Sequence, residues 1–509
     1  MAELTDRPFP PGSYPVVVVG SGPGALQISY CLSRYGIGHA VISADDAPGG
    51  MFRRWPFFQR LLSWTKPYAP VPHDDAAYQR YDWNSLLADE PEHQAIMPGL
   101  MDGASYFPSR PEMQRNLETF AARTGIAIRY GCRWTATRRE RAADGSDEYV
   151  LETTDGEYRA PTLVFAVGVA QPSVPDTPGI ELATHYGGVR PAETYANRRV
   201  FIIGKQNSGF ELASGLLQWA RTIVLASPSP AKLSVNTKSL VGVRARYVQP
   251  VEDHVLGGGV AILDAAIGRI GQLDGGMIEV IARPSGGGDE MRFEVDEVIA
   301  ATGFTAPLLD LPALGVTTVG QGRLPAITPY WESVALPGVF FAGTLSQAAP
   351  GLKKHGLPAN SGAVHGARYN ARVLARRIAS TRFGLAAAEE RPPVAADGLV
   401  DWIVDALASS PELFHQRAYL ARVASLDAAA GPRDEGAVPL AAFVDGTGSD
   451  GSGDAIAATL EADGSGAIYP VVYARRGGRL EEVVFDPDPL MRYDTPAVRS
   501  RLAEFAKPG

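Results

Sequence analysis

The sequence predicts an α/β fold in which one pattern occurs twice. A strand, a glycine-containing turn and a helix follow one another at Val16–Val19 and again at Arg199–Ile203. Beyond Leu385 the composition shifts toward alanine, proline and acidic residues, where helices and a hairpin are expected. We therefore predict two Rossmann-like domains, the first interrupted by the second, and a small α+β region at the C-terminus.

The domain boundaries follow from the strands that open and close each unit. The first domain is predicted to be discontinuous and to cover 1–190 and 300–385, and the second is inserted at 191–299. The remaining residues, 386–509, form the C-terminal extension. No catalytic motif is recognised in this extension, so we expect a small cap or an oligomer contact, with a homodimer as one possibility.

The first turn has glycine at its first and third positions and alanine at its sixth. Gly20 permits the tight turn, Gly22 lets the backbone approach a pyrophosphate, and Ala25 lets the helix pack close to the sheet. Pro23 and Gly24 lie between them at the helix N-terminus, whose positive end favours phosphate. The pattern predicts a bound dinucleotide.

Composition and charge exclude several classes of function. The 47 Lys and Arg residues are outnumbered by 56 Asp and Glu residues, which gives a net charge of −9 and argues against nucleic acid. There is no membrane-length apolar run, and residues 1–12 do not resemble a secretory signal, so we expect a cytoplasmic protein. Cys31 and Cys132 form no Cys-x-x-Cys motif, which excludes the redox-active disulfide of thioredoxin-reductase-like enzymes. We predict no metal site.

The second strand, His39–Ile42, is where an acidic residue usually binds the ribose of the dinucleotide. Ser43 occupies that place, and Asp45 and Asp46 follow. One of these three side chains is expected to hold the ribose. The alternative is that the aspartates only form a turn.

Glycine, bulky side chains and arginines are combined just after this strand. The consecutive residues are Gly50, Met51, Phe52, Arg53 and Arg54. Bare backbone at glycine can wrap a flat ring system, and arginine can meet phosphate. We expect both kinds of contact here.

Segments 48–55, 61–66 and 81–87 together resemble the class B flavin monooxygenase superfamily and, within it, the FAD-dependent oxidoreductase domain-containing proteins. In those proteins a Phe and an Arg-Pro-containing stretch precede a Leu-Ile-Ser-Ile-Asn-Lys-like segment. The resemblance covers most of residues 14–380. It implies FAD in the first domain and NADPH or NADH in the second.

The resemblance also implies where FAD is held. Backbone at 132–134 is implied to touch the adenine, and the helix at 363–379 is implied to direct its N-terminus at the flavin ring. Residues Gly343 and Thr344 stand where superfamily members commonly have Gly-Asp. The residues implied to contact FAD are Leu62, Ser63, Trp83, Trp134, Ala166, Gly168, Thr302, Gly303, Gly343 and Thr344.

Thr65 and Lys66 are the candidate catalytic residues beside the flavin. Where relatives have an asparagine near the oxygen-reacting face of the flavin, this chain has Thr65. A threonine hydroxyl donates one hydrogen bond but lacks the two donors of an amide. The alternative is that Thr65 and Lys66 form a plain loop beside the cofactor.

The second turn runs through Gly204, Lys205, Gln206, Asn207 and Ser208. Gln206 replaces the central glycine, and its side chain would crowd a pyrophosphate lying over the turn. The stretch from Asn207 onward nevertheless matches the relatives, so we predict NAD(P)H binding, with Asn207 as a third candidate catalytic residue. The alternative is a degenerate domain retained for structure.

The next strand, Thr222–Ser227, ends without an acidic residue or an arginine. Ser227 is the candidate nucleotide contact, and the residues do not decide between NADPH, which the resemblance implies, and NADH. His185 resembles the histidine of the monooxygenase linker signature, although its spacing from the preceding glycine is longer. It has a linker role in that interpretation and is a packing histidine in the alternative.

The leading function is an FAD-dependent, NAD(P)H-consuming monooxygenase that acts on a small substrate with O₂ through a C4a-(hydro)peroxyflavin. The family context favours oxidation of a heteroatom such as nitrogen over Baeyer-Villiger oxidation. One alternative is an NAD(P)H-dependent flavin oxidase or reductase without oxygen transfer. Another is a non-enzymatic flavin-binding redox partner.

Among the local elements, we expect a helix at 111–124, a strand at 126–130 and hairpins at 149–160 and 467–484. Residues 399–426 are expected to be helical, with a break near Ser410. Residues 234–259 are expected to form an insertion over the active site.

Overall fold

The computed structural model describes residues 7–54, 60–142, 145–233, 243, 247, 259–352, 354, 356–385, 392–395, 398–427, 431–446 and 453–507. Most of the expected insertion at 234–259 lies outside these described residues. The described residues fall into two compact units. The first unit contains residues 1–53, 63–169 and 306–509, and the second contains 54–62 and 170–305.

In chain order the strands are β1 (Gly12–Ser13), β2 (Val16–Val19), β3 (His39–Ile42), β4 (Trp134–Arg141), β5 (Asp147–Thr153), β6 (Gly156–Ala160), β7 (Thr162–Phe165), β8 (Gln171–Pro172), β9 (Thr184–His185), β10 (Arg199–Ile203), β11 (Thr222–Ser227), β12 (Val260–Gln272), β13 (Ile278–Pro284), β14 (Met291–Val295), β15 (Glu297–Ala300), β16 (Phe304–Thr305), β17 (Thr318–Val319), β18 (Leu324–Pro325), β19 (Val339–Phe341), β20 (Leu420–Asp427), β21 (Gly431–Pro439), β22 (Ala455–Ala462), β23 (Ile468–Arg476) and β24 (Arg479–Val484).

The α-helices in the described part of the chain are α1 (Pro23–Arg34), α2 (Arg110–Arg123), α3 (Asn207–Leu216), α4 (Val364–Phe383), α5 (Leu399–Ser409), α6 (Pro411–His415), α7 (Leu440–Asp445) and α8 (Pro496–Phe505). None of them is long and apolar enough to cross a membrane. The predicted helix at 111–124 is α2, whose N-terminus carries a capping box between Ser109 and Glu112.

A parallel sheet in the order β19-β7-β2-β3 lies at the centre of the first unit. All four residues of β2 are buried, as expected for a strand covered on both faces. Because the strands are parallel, β2, β7 and β19 all end at one edge. This edge brings Gly20, Ala166 and Gly343 together.

The second unit has its own Rossmann-like arrangement. Strands β9, β15, β10, β11 and β12 are parallel, and β13 and β14 add antiparallel strands at one end. Phe201, Ala226 and Val298 lie in its apolar core. The prediction of two Rossmann-like units is therefore confirmed.

The C-terminal extension is α+β, as predicted, and belongs to the first unit. Its sheet has the order β21-β20-β22-β23-β24 and is antiparallel throughout. The hairpin expected at 467–484 is β23 and β24. The prediction that the helical region continues to residue 426 is wrong, because 420–427 is strand β20, which pairs with a strand on each side. Its Ala- and Leu-rich composition suits a helix, and sheet pairing overrides that propensity.

The prediction of a strand at 126–130 is also wrong. The segment makes a single parallel bridge, between Arg129 and Ile42. Arg129 N–H donates to Val41 O at 2.8 Å, and Ser43 N–H donates to Arg129 O at 3.0 Å. The segment therefore follows the end of β3 for one residue only.

Candidate functional site

The first turn is closed at Gly20 and Gly24 by contacts that leave no room for a Cβ. Gly20 has a φ of +129°, and a Cβ there would lie 2.6 Å from Ala166 O. A Cβ on Gly24 would overlap the backbone of Gly343, and one on Gly343 would lie 3.1 Å from Gly24 Cα. Glycine is therefore required by packing at the strand end and at the start of α1.

The loop after β3 lies against the same turn. Gly50 has a φ of +56°, and a Cβ there would lie 3.2 Å from Gly22 Cα. Gly49 N–H donates to Ser21 O at 2.9 Å. Helix α1 has no capping side chain, no acid in its first turn and Pro23 in that turn. This main-chain cradle at a helix N-terminus fits the pyrophosphate of FAD.

Two of the three ribose candidates lie together beside the turn. The Asp45 carboxylate accepts hydrogen bonds from Ser21 Oγ at 2.6 Å and from Ser43 Oγ at 3.4 Å. Asp46 instead pairs with Arg53, and its side chain is 87% exposed. The structure therefore groups Ser43 and Asp45 at the end of β3 and directs Asp46 to solvent.

The segment 50–53 forms a short 3₁₀ turn that contains Gly50, Met51, Phe52 and Arg53. Arg110 at the start of α2 donates to Phe52 O at 3.0 Å and fixes this turn. Arg54 and Leu62 fall in the second unit. Gly168 follows β7, and Thr344 follows Gly343 after β19.

Trp134 is buried, and its indole N–H is used inside the protein. It donates to Thr137 Oγ1 at 2.9 Å and to Ala136 O at 3.0 Å. The ring packs on Phe165 with the ring centres 4.7 Å apart. Trp134 therefore supports the end of β7 by packing.

Thr65 is fully buried in a hydrogen-bonded network. Its hydroxyl donates to Asp82 Oδ1 at 2.9 Å and accepts from Asn84 Nδ2 at 3.0 Å. Ser63 Oγ donates to Asn84 Oδ1. Asp82 Oδ2 is buried and has no hydrogen-bond partner among the described residues. The sequence singled out Thr65 and Ser63 and missed the polar roles of Asp82 and Asn84.

Trp83 lies between two aromatic neighbours distant in sequence. Its ring centre is 5.1 Å from that of Trp64 and 4.5 Å from that of His365 in α4. Lys66 differs, because its side chain is exposed and its ammonium lies 6.0 Å from the centre of the Tyr81 ring. The structure thus buries Thr65, leaves Trp83 half-buried among aromatic rings and places Lys66 at the surface.

The second turn repeats the backbone contacts of the first in the second unit. Gly204 has a φ of +122°, and a Cβ there would overlap Ala301 O. A Cβ on Gly209 would overlap Gly204 O, so α3 packs directly against the turn. The backbone of this turn therefore has the tight strand-to-helix geometry of a nucleotide-binding turn.

Side chains occupy the middle of this second turn. Lys205 is buried, and its ammonium pairs with the Asp264 carboxylate. Gln206 is exposed and makes no capping hydrogen bond to α3. Asn207 and Ser208 begin α3, and Asn207 Oδ1 is buried without a hydrogen-bond partner in the described part of the chain. A buried acceptor of this kind is suited to accept a hydrogen bond from a donor group on a ligand.

The remaining candidates of the second unit make hydrogen bonds within it. Ser227 Oγ donates to Ser229 O at 3.2 Å, and Thr302 Oγ1 donates to Ser173 O. His185 Nε2 lies 3.1 Å from Gly303 O, and its Nδ1 accepts from Gly187 N–H at 3.2 Å. Burial lowers the pKa of His185, which favours the neutral ring. These bonds fit a structural role for His185 at the end of β9.

Both cysteines are free and buried. Burial raises the pKa of Cys31 to about 11 and also raises that of Cys132. A protonated, enclosed thiol is a poor nucleophile.

Comparison with protein families gives a match over most of the two units. A family model described as pyridine nucleotide-disulphide oxidoreductase matches residues 17–343. The matched segment contains the first and second turns and Gly343. These are the three glycine-lined features described above.

Two curated proteins resemble this chain. FAD-dependent oxidoreductase domain-containing protein 2 of Mus musculus is 27% identical over 399 residues, which cover 72% of this chain and 58% of that protein. The chain thus spans little more than half the length of this relative. A probable indole-3-pyruvate monooxygenase, YUCCA4 of Arabidopsis thaliana, is 24% identical, with coverage of 59% and 77% respectively.

A solved structure has a similar fold. Bacillithiol disulfide reductase of Staphylococcus aureus superposes with a TM-score of 0.55 at 15% identity. The superposition covers 72% of this chain and 98% of that one. At this identity the likeness concerns the fold alone.

Proposed function

The chain belongs to the pyridine nucleotide-disulphide oxidoreductase family and is a flavin-dependent oxidoreductase, and we propose that it is an NADPH-consuming monooxygenase acting on a small substrate. The observation that carries the proposal is the buried network of Thr65, Asp82 and Asn84 within the unit that holds the side-chain-free cradle. The absence of a Cys-x-x-Cys motif argues against disulfide reduction.

The cradle residues are proposed to hold FAD in a defined way. Backbone at Gly22 and Gly24 and the N-terminus of α1 would bind the pyrophosphate, and Ser43 with Asp45 would bind a ribose. When bound, FAD supplies a hydride acceptor that reacts with O₂ once it is reduced. The buried side chains of Thr65 and Asn84 would exclude water from this part of the unit.

Nicotinamide nucleotide binding is proposed at the second turn. Gly204 and the N-terminus of α3 would meet the phosphates, and Asn207 Oδ1 would accept a hydrogen bond from the nucleotide. NADPH is our choice over NADH on the basis of the resemblance. Lys205 would act indirectly, because its ammonium already pairs with Asp264.

Two finer points belong to the same proposal: oxygen transfer through a C4a-(hydro)peroxyflavin, and oxidation at nitrogen rather than of a ketone. The relative named as a probable indole-3-pyruvate monooxygenase supports the monooxygenase class. The preference for nitrogen rests on the family context alone. A substrate screen with primary amines, secondary amines and ketones would decide this point.

The first test is stopped-flow absorbance with the purified, FAD-loaded protein. The protein is reduced by NADPH or by NADH without oxygen and is then mixed with O₂. A species that outlives the mixing time, absorbs apart from both oxidised and reduced flavin and decays faster with substrate would support the proposal. Reoxidation in one step with stoichiometric release of hydrogen peroxide would contradict it.

One observation favours a second candidate, an NAD(P)H oxidase or reductase without oxygen transfer. The Thr65 hydroxyl hydrogen is donated to Asp82, so it is not directed at a ligand. A Thr65→Asn variant separates the two candidates. If oxygen transfer depends on an amide here, the variant should form more of the long-lived species, although loss of the buried hydroxyl that donates to Asp82 will cost about 1–3 kcal/mol of stability.

A further inference from the structure

The C-terminal extension reaches the first turn through a chain of buried hydrogen bonds. Ser346 Oγ donates to Gly343 O at 2.7 Å, and Asn370 Nδ2 in α4 donates to Ser346 Oγ at 3.0 Å and to Ser361 Oγ at 2.8 Å. Gln416 Nε2 lies 2.6 Å from Asn370 Oδ1 and 2.7 Å from Ser361 Oγ. Gly343 is the residue that packs against Gly24. The Gln416 amide is thus connected to the cradle through Asn370, Ser346 and Gly343.

The residue before Gln416 packs against Trp83. The His415 ring centre is 5.6 Å from that of Trp83, 5.2 Å from that of His365 and 5.8 Å from that of Tyr369. Its Nε2 lies 2.9 Å from Gln79 O, and Asn360 Nδ2 donates to its backbone oxygen at 2.7 Å. Burial lowers the pKa of His415 well below its ordinary value, and the nearby His365 acts in the same direction. The ring is therefore uncharged at neutral pH, and its Nε2–H donates to Gln79 O.

We define the strap as Pro411–Gln416. The strap is also anchored in the apolar core of the C-terminal extension. Leu413 is fully buried in the same apolar cluster as Leu407 and Leu460. His415 is 1% exposed and Gln416 is fully buried. Both polar side chains leave this apolar cluster and face α4. Their hydrogen-bond partners, Gln79, Ser361 and Asn370, all lie outside the extension, so an isolated folding module would have no reason to bury these polar groups.

We propose that the strap is part of the FAD site, in which Gln416 positions the first turns of α4 and the loop at Gly343, and His415 supports Trp83. The proposal rests on FAD lying in the cradle described above. Gln416 and His415 are positioning residues, because they touch neighbours of the cradle. The extension therefore sets how tightly the flavin is held.

The test compares Gln416→Leu with Leu502→Ala. The first variant removes the amide at nearly constant volume. The second creates a cavity in the apolar core of the extension, at a fully buried position on α8. Both variants lose stability, and only Gln416→Leu removes the hydrogen bonds that join the strap to Asn370 and Ser361. The readouts are the FAD dissociation constant of the apoprotein, by flavin fluorescence, and the fine structure of the visible absorbance of bound FAD.

We expect Gln416→Leu to raise the FAD dissociation constant by about tenfold, as the loss of buried hydrogen bonds predicts. Its flavin spectrum should shift, whereas Leu502→Ala should keep both the wild-type spectrum and an affinity within about twofold. Equal FAD affinity in the wild type and in Gln416→Leu would overturn the proposal. So would an equal loss in the two variants, because the effect would then be one of stability alone.

Ser361→Ala keeps the question answerable if Gln416→Leu does not fold. It removes the hydroxyl to which the Gln416 and Asn370 amides both point. A spectral shift with weaker FAD binding supports the strap's role, and unchanged binding contradicts it. The readout is FAD binding, so the answer is independent of whether the reduced enzyme transfers oxygen. Failure of the proposed function would appear in the stopped-flow experiment, with FAD binding intact.

Discussion

The two nucleotide-binding turns follow the same path through strand, glycine and helix, but they differ in the groups that occupy them. The first turn is enclosed by backbone: Gly24 meets Gly343, and Gly50 meets Gly22. The second repeats the contact of Gly20 with Ala166 O as a contact of Gly204 with Ala301 O, but it carries Lys205 and other side chains in the turn itself.

This difference separates two ways of recognising a diphosphate. A turn made only of backbone offers N–H groups and a helix dipole, so its affinity depends on close approach. A turn with side chains can add individual contacts to other parts of the nucleotide, such as a hydrogen bond that Asn207 Oδ1 accepts from a nucleotide hydroxyl or amide, at the cost of space over the turn. We therefore expect the first turn to fail when a Cβ is added at Gly20 or Gly24 and the second to respond to single side chains.

The largest effect should come from adding one carbon to the first turn. A Cβ in Gly24→Ala would overlap Gly343, which is backbone and can move only with β19. We expect FAD affinity to fall by about a hundredfold, since overpacking costs about 1–3 kcal/mol and the cofactor loses its close approach. Apoprotein titration with FAD measures this.

Gly99→Ala is the matched control, because a Cβ there meets no atom within 4 Å. It should bind FAD as the wild type does. If Gly24→Ala also bound FAD normally, the backbone cradle would not be the FAD site, and the contrast between the two turns would lose its basis.

The sequence predicts both turns because their signals are local. Gly20 and Gly204 each follow an apolar strand and precede a helix, so the pattern is contained within a few residues. The site beyond the turns depends on contacts distant in sequence. Gln416 meets Asn370 across 46 residues, and Trp83 meets His365 across far more of the chain. No local pattern indicates such contacts.

Strand β20 shows the same limit for secondary structure. Residues 420–427 contain Leu and Ala at spacings that suit a helix, but β21 and β22 pair with the segment on both sides. Propensity is a weak term compared with two ladders of hydrogen bonds and a buried face. Thr65 shows the same limit within the candidate site, because its hydrogen-bond partner Asp82 is identified only in the folded chain.

A medium effect is expected from the Asn207 side chain of the second turn. Asn207→Ala removes Oδ1, which makes no hydrogen bond among the described residues, so the thermal midpoint should stay nearly constant. The dissociation constant for NADPH should rise by about tenfold because one buried hydrogen bond to the ligand is lost. Gln218→Ala, exposed just beyond the far end of α3, is the control. An equal affinity in both variants would show that Asn207 does not bind nucleotide.

A smaller effect concerns the strand that presents the second turn. Asp296 accepts hydrogen bonds from Arg199 N–H at 2.8 Å and from its guanidinium at 2.9 Å and 3.0 Å, at the start of β10. The hydrogen bonds from Arg199 are the main cause that lowers the pKa of the Asp296 carboxyl from 3.8 to about 2. Since the folded state favours the carboxylate, the stabilisation is present above about pH 4 and is lost as the pH falls toward 2.

Asp296→Asn should therefore destabilise the protein by about 1 kcal/mol at neutral pH, a modest value because the pair is partly exposed. Thermal unfolding at about pH 7 and about pH 3 is the measurement, and the difference from wild type should shrink at the lower pH. A difference that is constant across this range would show that charge plays no part. FAD affinity should be unchanged, because Asp296 belongs to the second unit.

The smallest effect is the most direct test of the contrast between the turns. Gln206→Gly restores the bare backbone that the first turn has at the equivalent position, Gly22. Two effects oppose each other. The pyrophosphate gains space over the turn, but the unfolded chain gains conformational freedom, which lowers the stability of the folded protein by about 0.5–1 kcal/mol. We expect NADPH to bind about threefold more tightly, with a slightly lower thermal midpoint. If affinity falls instead, Gln206 contacts the nucleotide, and the second turn recognises its ligand through side chains where the first uses backbone alone.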